Sequence, residues 1–233
     1  MEVLYYSLLV VFSYLVGNIS NARMLSKFKK DDITKHGSGN PGTMNMLRTF
    51  GFKTGLLTLV LDGVKGAVPA LAGFFLFKLL GYDPYVGLYV AGVSVVLGHN
   101  FPVFYKFKGG KGVACILGVF AVAEPLWAAV AFLGCFLYLL IFDYGAMASF
   151  IFITCLTVIE AYKFRGNIPI CTLLFILFFL TWFMHRQNIF RLLIGKENKV
   201  NLAKAIKKLK SKPKLTKNEK LDAKEQQKQK EIG

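Results

Sequence analysis

The sequence LGHNFPVFYKFKGGKGV (residues 97–113) interrupts an otherwise strongly apolar part of the chain. It combines a histidine, an asparagine and three lysines with the pair Gly109 and Gly110, and apolar segments flank it on both sides. Glycine frees the backbone to turn its N–H groups toward an anion, and lysine side chains can neutralise that anion. The stretch therefore predicts two membrane-compatible helices joined by a phosphate site at a membrane surface.

Composition places the chain among polytopic membrane proteins. It has 233 residues, of which 55% are hydrophobic, and a formal net charge of +16 at pH 7. Basic nucleic-acid-binding proteins are rarely so rich in phenylalanine, of which there are 22, and in long apolar runs. Several runs approach the roughly 20 apolar residues that a spanning helix needs. We therefore expect membrane lipid, and no nucleic acid, among the partners.

The cysteines indicate neither a metal site nor a disulfide framework. All four lie within apolar runs, without CxxC spacing and without a nearby histidine. They are Cys115, Cys135, Cys155 and Cys171. We expect no metal and no cofactor.

The apolar runs predict an all-α integral membrane fold with seven transmembrane helices. These helices cover approximately residues 3–20, 54–80, 86–97, 113–122, 126–142, 146–161 and 168–184. The third and fourth are shorter than a comfortable span, so five spans is the alternative if the short segments are re-entrant. We expect a membrane domain over residues 1–199 and a basic tail over residues 200–233, amphipathic at first and then disordered.

The distribution of lysine and arginine in the short loops predicts the orientation. It places the N-terminus outside and the C-terminus in the cytoplasm, with segments 21–53 and 104–112 on the cytoplasmic side. The three histidines of the chain, His36, His99 and His185, fall one in each of three polar stretches on that side. This segregation predicts one composite site.

The first polar stretch contains GSGNPGTMN followed by an arginine. Gly39 lets the backbone approach a ligand, and Ser38, Asn40 and Asn45 offer hydrogen bonds. Arg48 can hold a phosphate through two parallel hydrogen bonds. The alternative is an ordinary Gly/Asn/Pro loop with an arginine that anchors it at the membrane.

In the second stretch, Lys111 is the preferred phosphate ligand because glycines bracket it, whereas at least one of Lys106 and Lys108 suits membrane anchoring. The sequence GGKG is not a P-loop: it lacks four residues between its glycines and a Ser or Thr after the lysine. His99 lies just after an apolar helix, two residues before Phe101.

The third stretch follows the last apolar run. His185, Asn188 and Arg191 are spaced by three residues, so a continuing helix would place them along one face. The alternative is an interfacial helix whose basic side chains reach the membrane surface.

Two charged residues, Asp62 and Lys65, lie within the second apolar run. Charged residues inside a membrane segment are functional candidates. Their spacing also allows an ion pair that fixes helix packing.

The three motifs GSGNPGTMN with Arg48, GHNFPVFYKFKGGKGVA and HRQNIFRLLIGKE occur in this order. They resemble the signatures of the bacterial acyl-phosphate:glycerol-3-phosphate acyltransferases, the PlsY family. The resemblance covers residues 1–199 and includes YLVGN and DGVKG. It implies a seven-helix enzyme of the bacterial cell membrane whose active site faces the cytoplasm.

By this resemblance the enzyme would transfer an acyl group from acyl phosphate to the 1-hydroxyl of sn-glycerol 3-phosphate. The products would be 1-acylglycerol 3-phosphate (lysophosphatidic acid) and phosphate, in phospholipid biosynthesis. A functional link to an enzyme that makes acyl phosphate follows. A transporter of a phosphorylated solute is the competing class, but the polar residues cluster at one face and no internal repeat is found.

The resemblance also assigns residues. Those implied as catalytic are Ser38, Arg48, His99, Lys111, His185 and Asn188. Those implied in substrate binding are Gly39, Asn40, Asn45, Lys108, Gly109, Gly110, Gly112 and Ser149, the last within a segment, YGAMAS, that departs from the family pattern. Either His185 or His99, or the substrate's own phosphate, would accept the hydroxyl proton.

Overall fold

A computed structural model describes residues 2–210, and all its regular elements in that range are helical. In chain order they are α1 (Glu2–Gly17), α2 (Asn21–Phe28), α3 (Thr43–Phe50), α4 (Phe52–Leu79), α5 (Pro84–Asn100), α6 (Val113–Ala123), α7 (Pro125–Phe142), α8 (Gly145–Lys163), α9 (Ile168–Met184), α10 (Arg186–Leu193) and α11 (Leu202–Lys210). The predicted all-α class is confirmed. The predicted disorder of the tail falls on residues 211–233, which lie outside the described range.

Five helical segments are long and apolar enough to cross a membrane. They are Val3–Phe28, Phe52–Leu79, Pro84–Tyr105, Pro125–Phe142 and Gly145–Lys163. A sixth results if α9 and α10, which are bent by 54° relative to each other, are counted as one broken span. Within residues 2–210 the structure therefore supports five or six spans, fewer than the seven predicted.

The two helices that were predicted to be short, α5 and α6, differ from each other in the structure. α6 has only 11 residues, or about 17 Å of helix against roughly 30 Å of hydrocarbon. It is largely buried between its neighbours. α5, in contrast, has 17 residues and extends to Asn100 beyond the predicted 86–97, within a segment long enough to span.

Close contact between α4 and α6 positions the start of α6. A Cβ added at Gly66 would lie 2.1 Å from the carbonyl oxygen of Cys115, and one added at Gly118 would lie 1.9 Å from that of Gly63. Only glycine permits such an approach of two helix backbones. The contact brings the N-terminus of α6 beside the first half of α4 and the end of α5.

The polar stretches meet at one end of the helix bundle. The predicted loop over residues 21–53 contains the short helices α2 and α3. The ends of α5 and α9 and the starts of α3, α6 and α8 converge beside it, because residues from all of them line one cavity. The predicted seventh helix, 168–184, corresponds to α9, and the chain continues beyond His185 as a second helix, α10, which is bent by 54° from α9.

Candidate active site

A polar cavity of about 110 Å³ opens where these helix ends meet. All six residues predicted to be catalytic line it, together with four of the predicted binding residues, Asn40, Asn45, Gly112 and Ser149. Gly39, Lys108 and Gly109 line a wider groove outside this cavity. Three segments that are far apart in sequence thus form one site.

Lys111 is held in place by a chain of polar contacts. Its ammonium group donates to Oδ1 of Asn188. Nδ2 of Asn188 donates to Oε1 of Glu197 at 2.6 Å, and Nε of Arg191 donates to Oε2 of the same carboxylate at 3.0 Å. Glu197 therefore fixes the orientation of Asn188, with its carbonyl oxygen toward the lysine.

Sequence reasoning missed this role of Glu197. Glu197 ends the third motif, but neither its residue type nor its spacing predicts a hydrogen bond to Asn188. The only feature of the sequence that could have indicated this role is the place of Glu197 in the same motif, nine residues after Asn188, which it contacts.

Two cations face the cavity with little solvation. Burial lowers the pKa of the Lys111 ammonium to about 8; Glu197 counteracts this effect, and Arg191 and Arg48 add to it. Burial also lowers the pKa of the Arg48 guanidinium, whose Nε donates to a backbone carbonyl. Within residues 2–210 neither cation forms an ion pair with a carboxylate. The cavity is therefore suited to an anionic ligand.

His185 presents a proton acceptor. Its Nδ1 lies 2.8 Å from the carbonyl oxygen of Thr181. Because a carbonyl oxygen only accepts, Nδ1 carries the proton, and Nε2 of the neutral ring has a free lone pair. The ring packs edge-on against Phe150, with 5.3 Å between centroids.

His99 has the opposite tautomer. Nζ of Lys65 lies 2.9 Å from its Nδ1, and the same ammonium donates to the carbonyl oxygen of Ile19 at 2.6 Å. Asp62, which accepts from Asn21 at 2.8 Å, lies 3.3 Å from this ammonium. Nδ1 of His99 therefore accepts, and its Nε2 carries the proton. The buried ion pair predicted in the second apolar run thus forms, and it also orients a histidine of the cavity.

The predicted anion-binding role of the N–H groups of Gly109 and Gly110 is wrong. Both N–H groups donate, at 3.1 Å, to the carbonyl oxygens of Asn100 and His99 at the end of α5. The glycines allow the loop to lie against that helix, because a Cβ at Gly110 would fall 2.1 Å from Nε2 of His99.

The N-terminus of α6 supplies N–H groups to the cavity instead. Gly112, in the left-handed region with φ of 81°, precedes the helix and provides no side-chain cap. Gly112, Val113 and Ala114 all line the cavity. An uncapped helix N-terminus carries unpaired N–H groups and partial positive charge, which favour an anion.

Asn45 lines the cavity but has hydrogen-bond partners within the first loop, and His36 is not among the residues that line the cavity. Nδ2 of Asn45 donates to the carbonyl oxygens of Ile33 and His36 at 3.2 and 2.9 Å, and its Oδ1 accepts from the N–H of Ser38 at 3.1 Å. Its amide hydrogens thus hold the first loop and are not free for a ligand. The ring of His36 contacts Asp31 at 2.8 Å outside the cavity and lowers the pKa of that carboxyl. The composite site contains two histidines of the three expected.

An apolar pocket of about 140 Å³ adjoins the polar cavity. Side chains from α4, α6, α7 and α8, including Leu56, Leu117, Phe132 and Phe152, form its walls. The residues that line both spaces are Thr43, Met44, Leu59, Val113, Ala114, Gly145, Ser149 and Val200. Apolar residues are so common in this chain that its sequence gave no sign of the pocket.

The fold and the two joined spaces define a class: a helical integral membrane protein in which a basic polar cavity adjoins an apolar pocket. Comparison with known proteins identifies the family to which such a protein belongs. A sequence model described as glycerol-3-phosphate acyltransferase matches residues 7–195.

Two relatives named glycerol-3-phosphate acyltransferase match most of the chain. The protein of Thermoanaerobacter pseudethanolicus is 37% identical over 205 residues, covering 88% of this chain and 100% of its own. That of Aquifex aeolicus is 39% identical over 193 residues, covering 82% and 97%. The chain belongs to the glycerol-3-phosphate acyltransferase family and is an integral membrane acyltransferase of lipid biosynthesis, as the three motifs predicted.

Solved structures show the same fold. The crystal structure of PlsY, an integral membrane glycerol 3-phosphate acyltransferase, in its glycerol 3-phosphate form superposes with a TM-score of 0.75. It is 34% identical, and the match covers 84% of this chain and 95% of that one. The lysophosphatidic acid form gives a TM-score of 0.75 at 33% identity, over 87% and 98%.

Proposed function

We propose that this protein transfers an acyl group from acyl phosphate to the 1-hydroxyl of sn-glycerol 3-phosphate, which yields 1-acylglycerol 3-phosphate and inorganic phosphate. The observation that carries the proposal is the shared boundary of the polar cavity and the apolar pocket. A molecule with a phosphate in one and an acyl chain in the other has its carbonyl carbon at that boundary. The glycerol 3-phosphate and lysophosphatidic acid forms of the related PlsY support this acceptor and product.

The polar cavity suits two phosphate-bearing substrates. Lys111, Arg48 and the N-terminus of α6 surround it with positive charge. Acyl phosphate is a mixed anhydride and already activated, so positioning and charge stabilisation supply much of the rate. No cysteine lines the described cavity, and the reaction needs no covalent enzyme intermediate.

In the reaction, the hydroxyl oxygen attacks the acyl carbonyl carbon and the bond from that carbon to the phosphate oxygen breaks. The hydroxyl proton ends on the departing phosphate, so atoms and charge balance. The proton passes either through Nε2 of His185 or directly to a substrate phosphate oxygen. The tautomers favour His185 over His99 as the protein acceptor, because Nε2 of His99 already carries a proton.

The orientation is part of the proposal. The polar cavity lies at the end of the bundle that carries the basic segments 21–53 and 104–112, and basic loops favour the cytoplasmic side of a bacterial cell membrane. Glycerol 3-phosphate would enter from that side. Acyl phosphate would come from an enzyme that produces it.

The test uses the purified protein with palmitoyl phosphate and glycerol 3-phosphate, and follows phosphate release and the acylated product by mass spectrometry. Parallel reactions contain palmitoyl-CoA or palmitoyl-acyl carrier protein. We expect turnover with palmitoyl phosphate alone. Turnover only with a thioester would refute the donor, and no turnover with any donor would refute the function. Arg48→Ala should abolish activity, whereas Arg165→Ala, at an exposed position beyond the end of α8, should not.

A further inference from the structure

We propose that Val200 and Leu202 are specificity-determining residues for the acyl donor. They lie on a strap, residues 198–202, that closes the two spaces where they meet. The inference rests on the proposed function, because it assigns the apolar pocket to the acyl chain. The basic tail of residues 200–233, considered from the sequence to be separate from the membrane domain, thus begins inside the site.

The strap presents alternate residues to the site. Asn198 lines the polar cavity, Val200 lines both spaces, and Leu202 lines the apolar pocket. Val200 and Leu202 are each 3% exposed, whereas Asn198, Lys199 and Asn201 are exposed. This order matches a ligand whose polar end lies near Asn198 and whose chain runs past Val200 toward Leu202.

Asp143 holds the strap in place. The N–H of Val200 donates to its backbone carbonyl oxygen at 2.8 Å, and the N–H of Leu202 donates to its Oδ1 at 3.0 Å. Asp143 itself ends α7 in the left-handed region, with φ of 62°. These two hydrogen bonds to one residue, at the corner between α7 and α8, fix the position of Val200 relative to the polar cavity and the apolar pocket.

Val200 lies where the reacting carbon must be placed. It borders both spaces together with Met44 and Ser149. Its Cγ2 would be 3.3 Å from a Cβ added at Gly145, so it packs closely on the start of α8. The first carbons of an acyl chain with its phosphate in the polar cavity would pass this side chain.

The strap lies outside the segment that the family model matches, which ends at residue 195. It is nevertheless held at both ends. Glu197 precedes it and binds Asn188 and Arg191, and α11 follows it and packs on α4 and α7. The wall that it adds is therefore ordered and can select among donors.

The experiment measures steady-state kinetics of full-length variants with dodecanoyl phosphate and hexadecanoyl phosphate, and separately with varied glycerol 3-phosphate. Val200→Ala and Leu202→Ala should each raise the KM for the acyl donor about tenfold, because a lost apolar contact in a pocket has roughly this effect. The KM for glycerol 3-phosphate should stay within about twofold. Leu209→Ala, also on α11 but lining neither space, is the control.

Asp143 is a positioning residue, and its role is tested by a matched pair of substitutions. Asp143→Asn keeps a side-chain oxygen as acceptor for the N–H of Leu202 and should resemble wild type. Asp143→Ala should raise the donor KM as the strap variants do. If Val200→Ala fails to fold, Val200→Ile, which narrows the same point by one methylene, should raise the donor KM alone.

The possible outcomes distinguish a wrong assignment of the strap residues from a wrong proposed function. Unchanged donor KM in the strap variants, with an active wild type, overturns the assignment of Val200 and Leu202 while the proposed function stands. An equal rise in both KM values also overturns it, because it indicates general loosening of the structure. A wild type inactive with every acyl donor overturns the strap's role together with the function.

Discussion

The charge of Lys111 offers a direct test of the site. Its ammonium group faces the polar cavity beside Asn188, and burial lowers its pKa to about 8. If this charge binds substrate phosphate, activity should fall as the pH rises through that value, because the neutral amine no longer attracts an anion. The second pKa of a phosphate monoester is near 6, so substrate ionisation affects a lower pH range.

The size of the effect follows from the pKa. A lysine with a pKa of about 8 is about 90% charged at pH 7, half charged at pH 8 and about 10% charged at pH 9. The ratio kcat/KM for glycerol 3-phosphate, which reports the free enzyme, should therefore drop about fivefold between pH 8 and pH 9. The assay is phosphate release in buffers of constant ionic strength.

Three variants give this pH profile its controls. Lys111→Arg stays charged throughout, so the alkaline fall should move out of the measured range even if the rate is lower. Lys111→Met should lose about 10²–10³-fold relative to the wild type at pH 7, and it should show no fall near pH 8. Glu197→Gln removes the charge that raises the lysine pKa, so the fall should begin below pH 8. A fall near pH 8 that persists unchanged in Lys111→Arg would refute the assignment.

Four further variants test the packing, the buried ion pair and the proton acceptor of the site. Gly110→Ala should destabilise the protein by about 1–3 kcal/mol and reduce activity, because its Cβ would lie 2.1 Å from Nε2 of His99. Gly134→Ala, at an exposed position where an added Cβ has no neighbour within 4 Å, should be neutral or stabilising in thermal unfolding. Lys65→Met should cost about 3–5 kcal/mol, since it leaves a buried carboxylate unpaired; an unchanged unfolding temperature would contradict this. His185→Gln should lower kcat about 10²–10⁴-fold if Nε2 accepts the proton, and a near-normal kcat would assign that role to the substrate phosphate.

Some features of the site were predictable because they depend on residue type at fixed intervals. Lys111 stood out between glycines, and the three motifs identified the family that the comparisons confirm. Arg48, His185 and Asn188 were named from the same motifs and do line the cavity. The expected roles of Gly109 and Gly110 failed, because free backbone geometry does not reveal that their N–H groups have partners at the end of α5.

The sequence by itself determined that the chain is helical, lies in a membrane and gathers its polar residues in three stretches. These properties are local, since hydropathy and residue spacing act over one helix length. Only the tertiary structure decided the two tautomers, the role of Glu197 and the apolar pocket closed by Val200. Each of these depends on distances between atoms whose residues are far apart along the chain, such as the 2.8 Å from Val200 to Asp143, and packing sets those distances.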